Sequence, residues 1–221
     1  QLAFSLWQRL DETRNSSAFW ARSPGQDRGF QAHAPWGDQT IYFDTSGCCD
    51  GTQRISKNIS ELAGADPNTF FQQWHHFVFQ KNGPAKQIWI DGKLFHEGQN
   101  DAPLVTDFDL LVVGGIYDNT AASHGDIDDF AVFASALTSA EIDQLAKGSA
   151  PDQVRPIQVV TAQAKFSAFR REGTNLVLEW TGSGTLQSSD SVTGPWADVT
   201  GAASPRTIAI SGSGKFYRVK Q

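Results

Sequence analysis

The stretch WHHFVFQKNGPAKQIWIDGKLFHEG, residues 74–98, carries the reading of the fold. Phe77 and Phe79 alternate with His76, Val78 and Gln80, the period of two that belongs to a strand. Lys81-Asn82-Gly83-Pro84 supplies breakers, and Gln87–Ile90 returns as a second strand. Asp91-Gly92 gives another tight turn, since both residues tolerate the positive φ of a two-residue hairpin loop; Lys93-Leu94-Phe95 follows as a third strand. Three antiparallel strands in a row make a meander. Further on, GDIDDFAVFASALTSAEIDQLAKG (residues 125–148) reads as a strand from Ile127 to Phe133 and then one short helix. Thr138 is its N-cap and Glu141 stands three residues later, a capping box.

The whole chain fits an all-β protein. Its 221 residues suffice for one large β-domain or two modest ones, and 15 Phe, 7 Trp and 20 Gly suit strands joined by many turns. A net charge of −6 without a basic run argues against nucleic acid and anionic membrane as partners. No stretch is apolar enough for membrane insertion. The chain opens at Gln1 and holds no Met, so it reads as part of a longer or processed product.

Outside the meander, Leu2–Trp7, Ser17–Ala21, Gly29–Ala34, Thr40–Asp44, Gln53–Ser56 and Leu110–Gly115 read as strands, and Phe70-Phe71 as a pair tucked beneath the sheet. From Gly148 to Arg155 the composition shifts to Gly, Ser, Pro and Asp without periodicity, and residues 149–156 read as a linker between a first domain, 1–148, and a second, 157–221. The second holds short, evenly spaced strands (Ala164–Phe169, Asn175–Trp180, Thr185–Ser189, Trp196–Val199, Thr207–Ile210, Lys215–Val219), the pattern of a small β-sandwich.

The order of these motifs, carried by Trp74, His75, Asp91, Gly92, Gly114, Gly115, Ile127, Asp128, Asp129, Ala136, Leu137, Thr138 and Glu141, resembles the laminin-G-like, concanavalin A-like jelly-roll domains of secreted bacterial proteins over roughly residues 1–148. That resemblance implies an antiparallel β-sandwich in an extracellular or cell-surface setting. Family members carry further strands before the one at Leu2–Trp7. Here the first strands look to be missing, which leaves an unpaired edge for a second copy of the chain, or the missing N-terminal segment of a longer precursor, to fill. The C-terminal residues Leu178, Trp180, Leu186, Gln187, Pro195, Trp196, Phe216, Tyr217 and Val219 are similar to reduced fibronectin-type-III-like modules.

Two adjacent cysteines, Cys48 and Cys49, are the sharpest chemical feature. Ordinary disulfides hold Cα atoms ~4.4–6.8 Å apart, whereas neighbours across a trans peptide sit at ~3.8 Å, so a bond between them closes a tight ring. Two free thiols or a metal site are the alternatives, and the secreted reading favours the disulfide. Such a ring either stiffens its loop or offers a rigid apolar knuckle to one face of a sugar. Around it Trp36 and Tyr42 supply flat π-faces, while Asp38, Asp44, Asp50 and Arg54 supply bidentate partners for hydroxyls. Single members of this group equally fit half-buried strand positions. Trp36, Asp38, Tyr42, Cys48, Cys49, Asp50 and Arg54 are the candidate ligand-binding set.

The adjacent histidines His75 and His76 point to opposite faces of a strand and cannot chelate one ion together. Asp128 and Asp129 face opposite ways in a regular strand, so one carboxylate is expected inward, paired or coordinated. The resemblance implies Asp129 as a ligand of a structural Ca²⁺, with partners from the N-terminal loop. Paired-carboxylate glycosidase, G-x-S-x-G, H-E-x-x-H and P-loop motifs are absent from the sequence. The leading expectation is therefore a secreted, non-catalytic module that binds an extracellular glycan or cell-surface ligand. Behind it stand a structural subunit of a fibre or surface layer built by strand sharing, and a polysaccharide-degrading enzyme.

Overall fold

The computed structural model describes residues 1–118, 120–156, 164–212 and 214–220. It divides into two compact units, Gln1–Pro156 and Ile157–Gln221. In the first, strands β1 (Leu2–Leu10), β2 (Phe19–Ser23), β3 (Gln26–His33), β4 (Thr40–Thr45), β5 (Arg54–Asn58), β6 (His75–Asn82), β7 (Ala85–Ile90), β8 (Lys93–Gln99), β9 (Leu110–Val113) and β10 (Gly125–Phe133) precede helix α1 (Ser139–Ala146). They form two five-stranded antiparallel sheets of order β10-β1-β6-β7-β8 and β5-β4-β3-β2-β9. The concanavalin A-like sandwich is thus realised as two facing sheets.

Alternation puts Phe4, Leu6, Phe77, Phe79, Ile88 and Ile90 of one sheet against Phe19, Phe30, Ile41 and Phe43 of the other. The phenylalanines interlock: Phe4 stacks on Phe19 at 4.2 Å, and Phe79 meets Phe43 at 5.6 Å and Phe19 at 5.7 Å between centroids. The meander follows its pattern. The β7–β8 turn is Asp91-Gly92 with φ of +48° and +78°, the geometry that joins tightly twisted antiparallel strands. Phe71 is buried in the core, and Phe70 stacks on His75 at 3.7 Å.

The outer side of the first sheet carries a smaller cluster, in which Ala3, Val78 and Phe133 lie against Leu137, Ile142 and Leu145 of the α1 region. The capping box at Thr138 and Glu141 is formed as expected. Gly125 meets β1 so closely that a Cβ there would lie 2.1 Å from the Arg9 carbonyl oxygen, so this position admits no side chain.

Three expectations are corrected. First, β1 is flanked by both β10 and β6, and the outermost strands of that sheet are β10 and β8. The open edge expected at the first strand is therefore occupied by β10. Second, residues 149–156 are no free linker. Pro151–Val154 form a short helix, α2, and the Arg155 guanidinium folds back onto Glu141 at 2.6 and 2.8 Å, the Ala136 carbonyl at 2.9 Å and the Ser135 hydroxyl. A proline at the first helical turn and a bidentate carboxylate partner supply the order that a Gly/Ser/Pro composition conceals. Third, Asp128 and Asp129 are both exposed. The β1–β10 register slips between Ser5 and Trp7, and Asp129 takes φ +47°, so a β-bulge turns its side chain out instead of inward.

In the second unit, β11 (Lys165–Glu172), β12 (Asn175–Thr181) and β15 (Arg206–Ala209) form one antiparallel sheet. Strands β13 (Thr185–Ser189), β14 (Ala197–Asp198) and β16 (Phe216–Lys220) form another. Leu178, Trp180 and Leu186 make its core, with Tyr217 and Val219 packed on it.

Candidate functional site

The candidate site lies on the side of the β5-β4-β3-β2 sheet that faces away from the core. Because Ile41 and Phe43 point inward, Tyr42 and Asp44 point outward on β4. Antiparallel register sets His33 opposite Tyr42, Gln31 opposite Asp44, and Arg54 of β5 opposite Asp44 on the other side. The loop between β4 and β5 turns back at Ser46 and Gly47, with φ of +56° and +120°, and hooks onto β3 through Ser46 N–H to the Gly29 carbonyl and Gly47 N–H to the Arg28 carbonyl, each 2.8 Å. This delivers Cys48 and Cys49 to the rim of the same face.

Cys48 and Cys49 are joined in a vicinal disulfide. Arg28 donates from Nη1 to Cys48 Sγ at 2.6 Å and reaches Cys49 Sγ at 3.6 Å, while Arg54 Nη2 lies 3.6 Å from Cys48 Sγ. Cys48 is half-buried and Cys49 exposed. Beneath them Asp44 is fully buried, at 0% exposure, and holds Arg54 in a bidentate pair at 2.6 and 2.7 Å. That pair raises the Arg54 pKa above its ordinary value. Arg28 stands 3.9 Å from the same carboxylate, so one buried anion anchors two guanidiniums.

From Arg54 a continuous run of contacts extends across the face. Its guanidinium lies over the Tyr42 ring at 4.4 Å; Tyr42 meets His33 edge-on at 5.9 Å, and His33 meets Trp36 at 4.5 Å. Burial lowers the His33 pKa to about 4 against the lesser pull of its hydrogen bond to the Ser16 carbonyl, so this imidazole is neutral at pH 7. Tyr42 donates its hydroxyl to Asp38 at 2.7 Å, and burial followed by that bond raises its pKa. Asp38 also accepts the Thr40 N–H at 3.0 Å; these bonds overcome burial and hold its carboxyl below the usual range.

Six of the seven candidate residues are thus brought together: Trp36, Asp38, Tyr42, Cys48, Cys49 and Arg54. Asp50 stands apart in the loop, accepting the Thr52 hydroxyl at 2.6 Å and its N–H at 2.8 Å, bonds that lower its pKa and shape the turn. Asp38 and Arg54 spend their polar atoms largely on Tyr42, Thr40 and Asp44. What the face offers a ligand is therefore chiefly two aromatic surfaces, a sulfur knuckle and guanidinium edges. Arg28, His33 and the buried Asp44 complete it; cross-strand register reveals the first two and turns Asp44 from a partner for hydroxyls into the anchor of Arg54.

Lys86 supports the site from the core side. It is fully buried, donates to the Phe43 carbonyl at 2.8 Å and the Gln53 carbonyl at 2.7 Å, and sits 4.3 Å above the Phe43 ring. It ties β4 to the end of the cysteine loop. Desolvation lowers its pKa to about 7.

Elsewhere His76 is buried with Nε2 2.9 Å from the Ser5 hydroxyl, and His75 pairs with Asp91 at 2.6 Å, so the two imidazoles serve separate partners. At the candidate calcium ligand, Asp129 has Asp128 beside it, and Asp128 already accepts the Asp129 N–H at 2.8 Å. Among the described residues no group of three or more His, Cys, Asp or Glu is placed to hold a metal. Two carboxylates fall short of the six to eight oxygens that Ca²⁺ takes, so these side chains alone do not fit it. No helix among the described residues is long and apolar enough to cross a membrane.

Comparison with known proteins agrees with this architecture. The profile of the laminin-G type described as the concanavalin A-like lectin/glucanases superfamily matches residues 1–143, and the chain belongs to that family. Among solved structures it is similar to the native heptameric SAP-like pentraxin from Limulus polyphemus, with TM-score 0.51 and 16% identity over 66% of this chain and 69% of that one. It is also similar to the binding domain of botulinum neurotoxin serotype G, with TM-score 0.50 and 14% identity over 66% of this chain and 36% of that one. At such identities the likeness is one of fold. No curated protein matches the chain.

Proposed function

We propose that this protein is an extracellular, non-catalytic binding module that recognises a glycan or glycan-bearing cell-surface ligand on the β5-β4-β3-β2 face. The observation that carries the reading is the contact chain Trp36–His33–Tyr42–Arg54–Cys48, which ends in a vicinal disulfide held by two guanidiniums. Sugar rings present C–H faces that pack on aromatic and sulfur surfaces, with hydroxyls at their edges for charged donors and acceptors. Membership of a family named for lectins and glucanases supports the ligand class, and the similar pentraxin and toxin binding domain support a binding role for such a sandwich.

The arrangement also favours binding over turnover. Asp44 and Arg54 are locked in a bidentate pair, and Asp38 is held below the usual carboxylate range, so Asp38 is not poised as a general acid near neutral pH. A glycan array probed with and without Ca²⁺ tests the reading. Selective binding is expected, weakened by Trp36→Ala or Cys49→Ser. An array that stays blank in both conditions, or product released from a polysaccharide panel, would remove it.

A further inference from the structure

A small depression lies on the outer side of the other sheet. Along β1 the outward residues run Ala3, Ser5, Trp7; Ala3 is covered by the α1 cluster, while Trp7 is opposite Asp128 on β10 and His76 on β6. Trp7, Trp74, Asp128 and Asp129 line a depression of about 290 Å³ there. Trp74 is 44% exposed, although its indole is among the largest apolar surfaces a chain can bury. Both aspartates are exposed, and the bulge at Asp129 is what brings its carboxylate to this side.

The charge of the depression is not met by its neighbours. Arg9, next along β1 on this face, is engaged by Asp126 and by Asp11 at 2.9 Å. His76, whose ring lies 5.4 Å from that of Trp7, has its pKa lowered by burial to about 4 and carries no charge at pH 7. His75 is bonded to Asp91. Among the described residues no basic side chain pairs with Asp128 or Asp129. Two tryptophans and two uncompensated carboxylates around a small hollow are complementary to a soft, methylated cation: indole faces attract it through their quadrupoles, and the carboxylates add Coulomb attraction without requiring a hydrogen-bond donor.

We propose that the Trp7–Trp74–Asp128–Asp129 depression binds a small quaternary ammonium compound. This site is separate from the glycan face and stands whether or not that face binds sugar. The test uses the full chain labelled with ¹⁵N, following the indole N–H resonances, with those of Trp7 and Trp74 assigned from Trp7→Phe and Trp74→Phe. Choline is the probe and 3,3-dimethylbutan-1-ol its uncharged isostere. Choline is expected to shift both assigned resonances, with the isostere at least about tenfold weaker. Asp129→Asn, which keeps shape and suits the left-handed backbone, is expected to weaken choline several-fold. Equal responses to choline and the isostere, no shift at tens of millimolar choline, or displacement of choline by a neutral methyl glycoside would each overturn the proposal. The isostere comparison is made on the unaltered protein, so it holds even if a tryptophan variant fails to fold.

Discussion

Replacing Lys86 by methionine separates the cost of burying an amine from the value of its hydrogen bonds. In the folded chain Lys86 titrates at about 7 instead of its ordinary 10.5. Between those values the unfolded chain holds a proton that the folded chain has released. Stability therefore rises with pH across the window 7 to 10.5, and the full difference amounts to about 5 kcal/mol at about 1.4 kcal/mol per unit. Met matches the length of the stem and does not titrate. It removes the donor to the Phe43 and Gln53 carbonyls, although the Gln53 carbonyl keeps its bond from Thr45 N–H at 3.0 Å. Urea unfolding of both proteins at matched salt, from pH 6 to 9, reads the difference. Lys86→Met is expected to keep a constant offset below pH 7, after which the parent gains about 1.4 kcal/mol per pH unit relative to it. An offset that does not change between pH 7 and 9 would refute the reasoning and mean that the ammonium stays charged in the core.

Other outcomes follow from the same geometry. His33 and His76 both titrate at about 4 in the fold, below the ordinary 6.5, so each contributes stability at neutral pH that is lost as pH falls from about 6.5 to 4; the acid limb of a Tm–pH profile is expected to flatten in His76→Gln. Phe19→Ala, at a ring packed between Phe4, Phe79 and Phe130, is expected to cost about 3–5 kcal/mol in denaturant unfolding, and a change below 1 kcal/mol would contradict the described core. Thr138→Ala removes the N-cap of α1 and is expected to cost about 1 kcal/mol by the same measurement.

The sandwich was legible because its strands obey a period of two and its turns use residues suited to positive φ. That alternation, followed strictly, also sends Lys81 and Lys86 inward with Phe77, Phe79, Ile88 and Ile90, and both lysines are buried. The candidate face was legible in outline since Trp36, Asp38, Tyr42, Cys48, Cys49 and Arg54 lie within one two-strand segment, where neighbours in sequence become neighbours in space. Arg28, His33 and the anchoring role of Asp44 escaped it because they depend on the β3–β4–β5 register, which no local pattern encodes. The expectation that one of Asp128 and Asp129 faces inward failed because alternation assumes an unbroken ladder, and one bulge reverses the direction of a side chain. The place of β1 between β10 and β6 is likewise a long-range pairing. The order in 149–156 hangs on Arg155 reaching Glu141, whose pKa that pairing lowers to about 2.

The central claim concerns the aromatic and sulfur face, and titration calorimetry of the strongest array glycan against the parent and Trp36→Ala tests it most directly. Loss of one stacking ring is predicted to weaken binding at least about tenfold with the melting transition unchanged. Equal affinity in the two proteins would contradict the assignment of the ligand to this face.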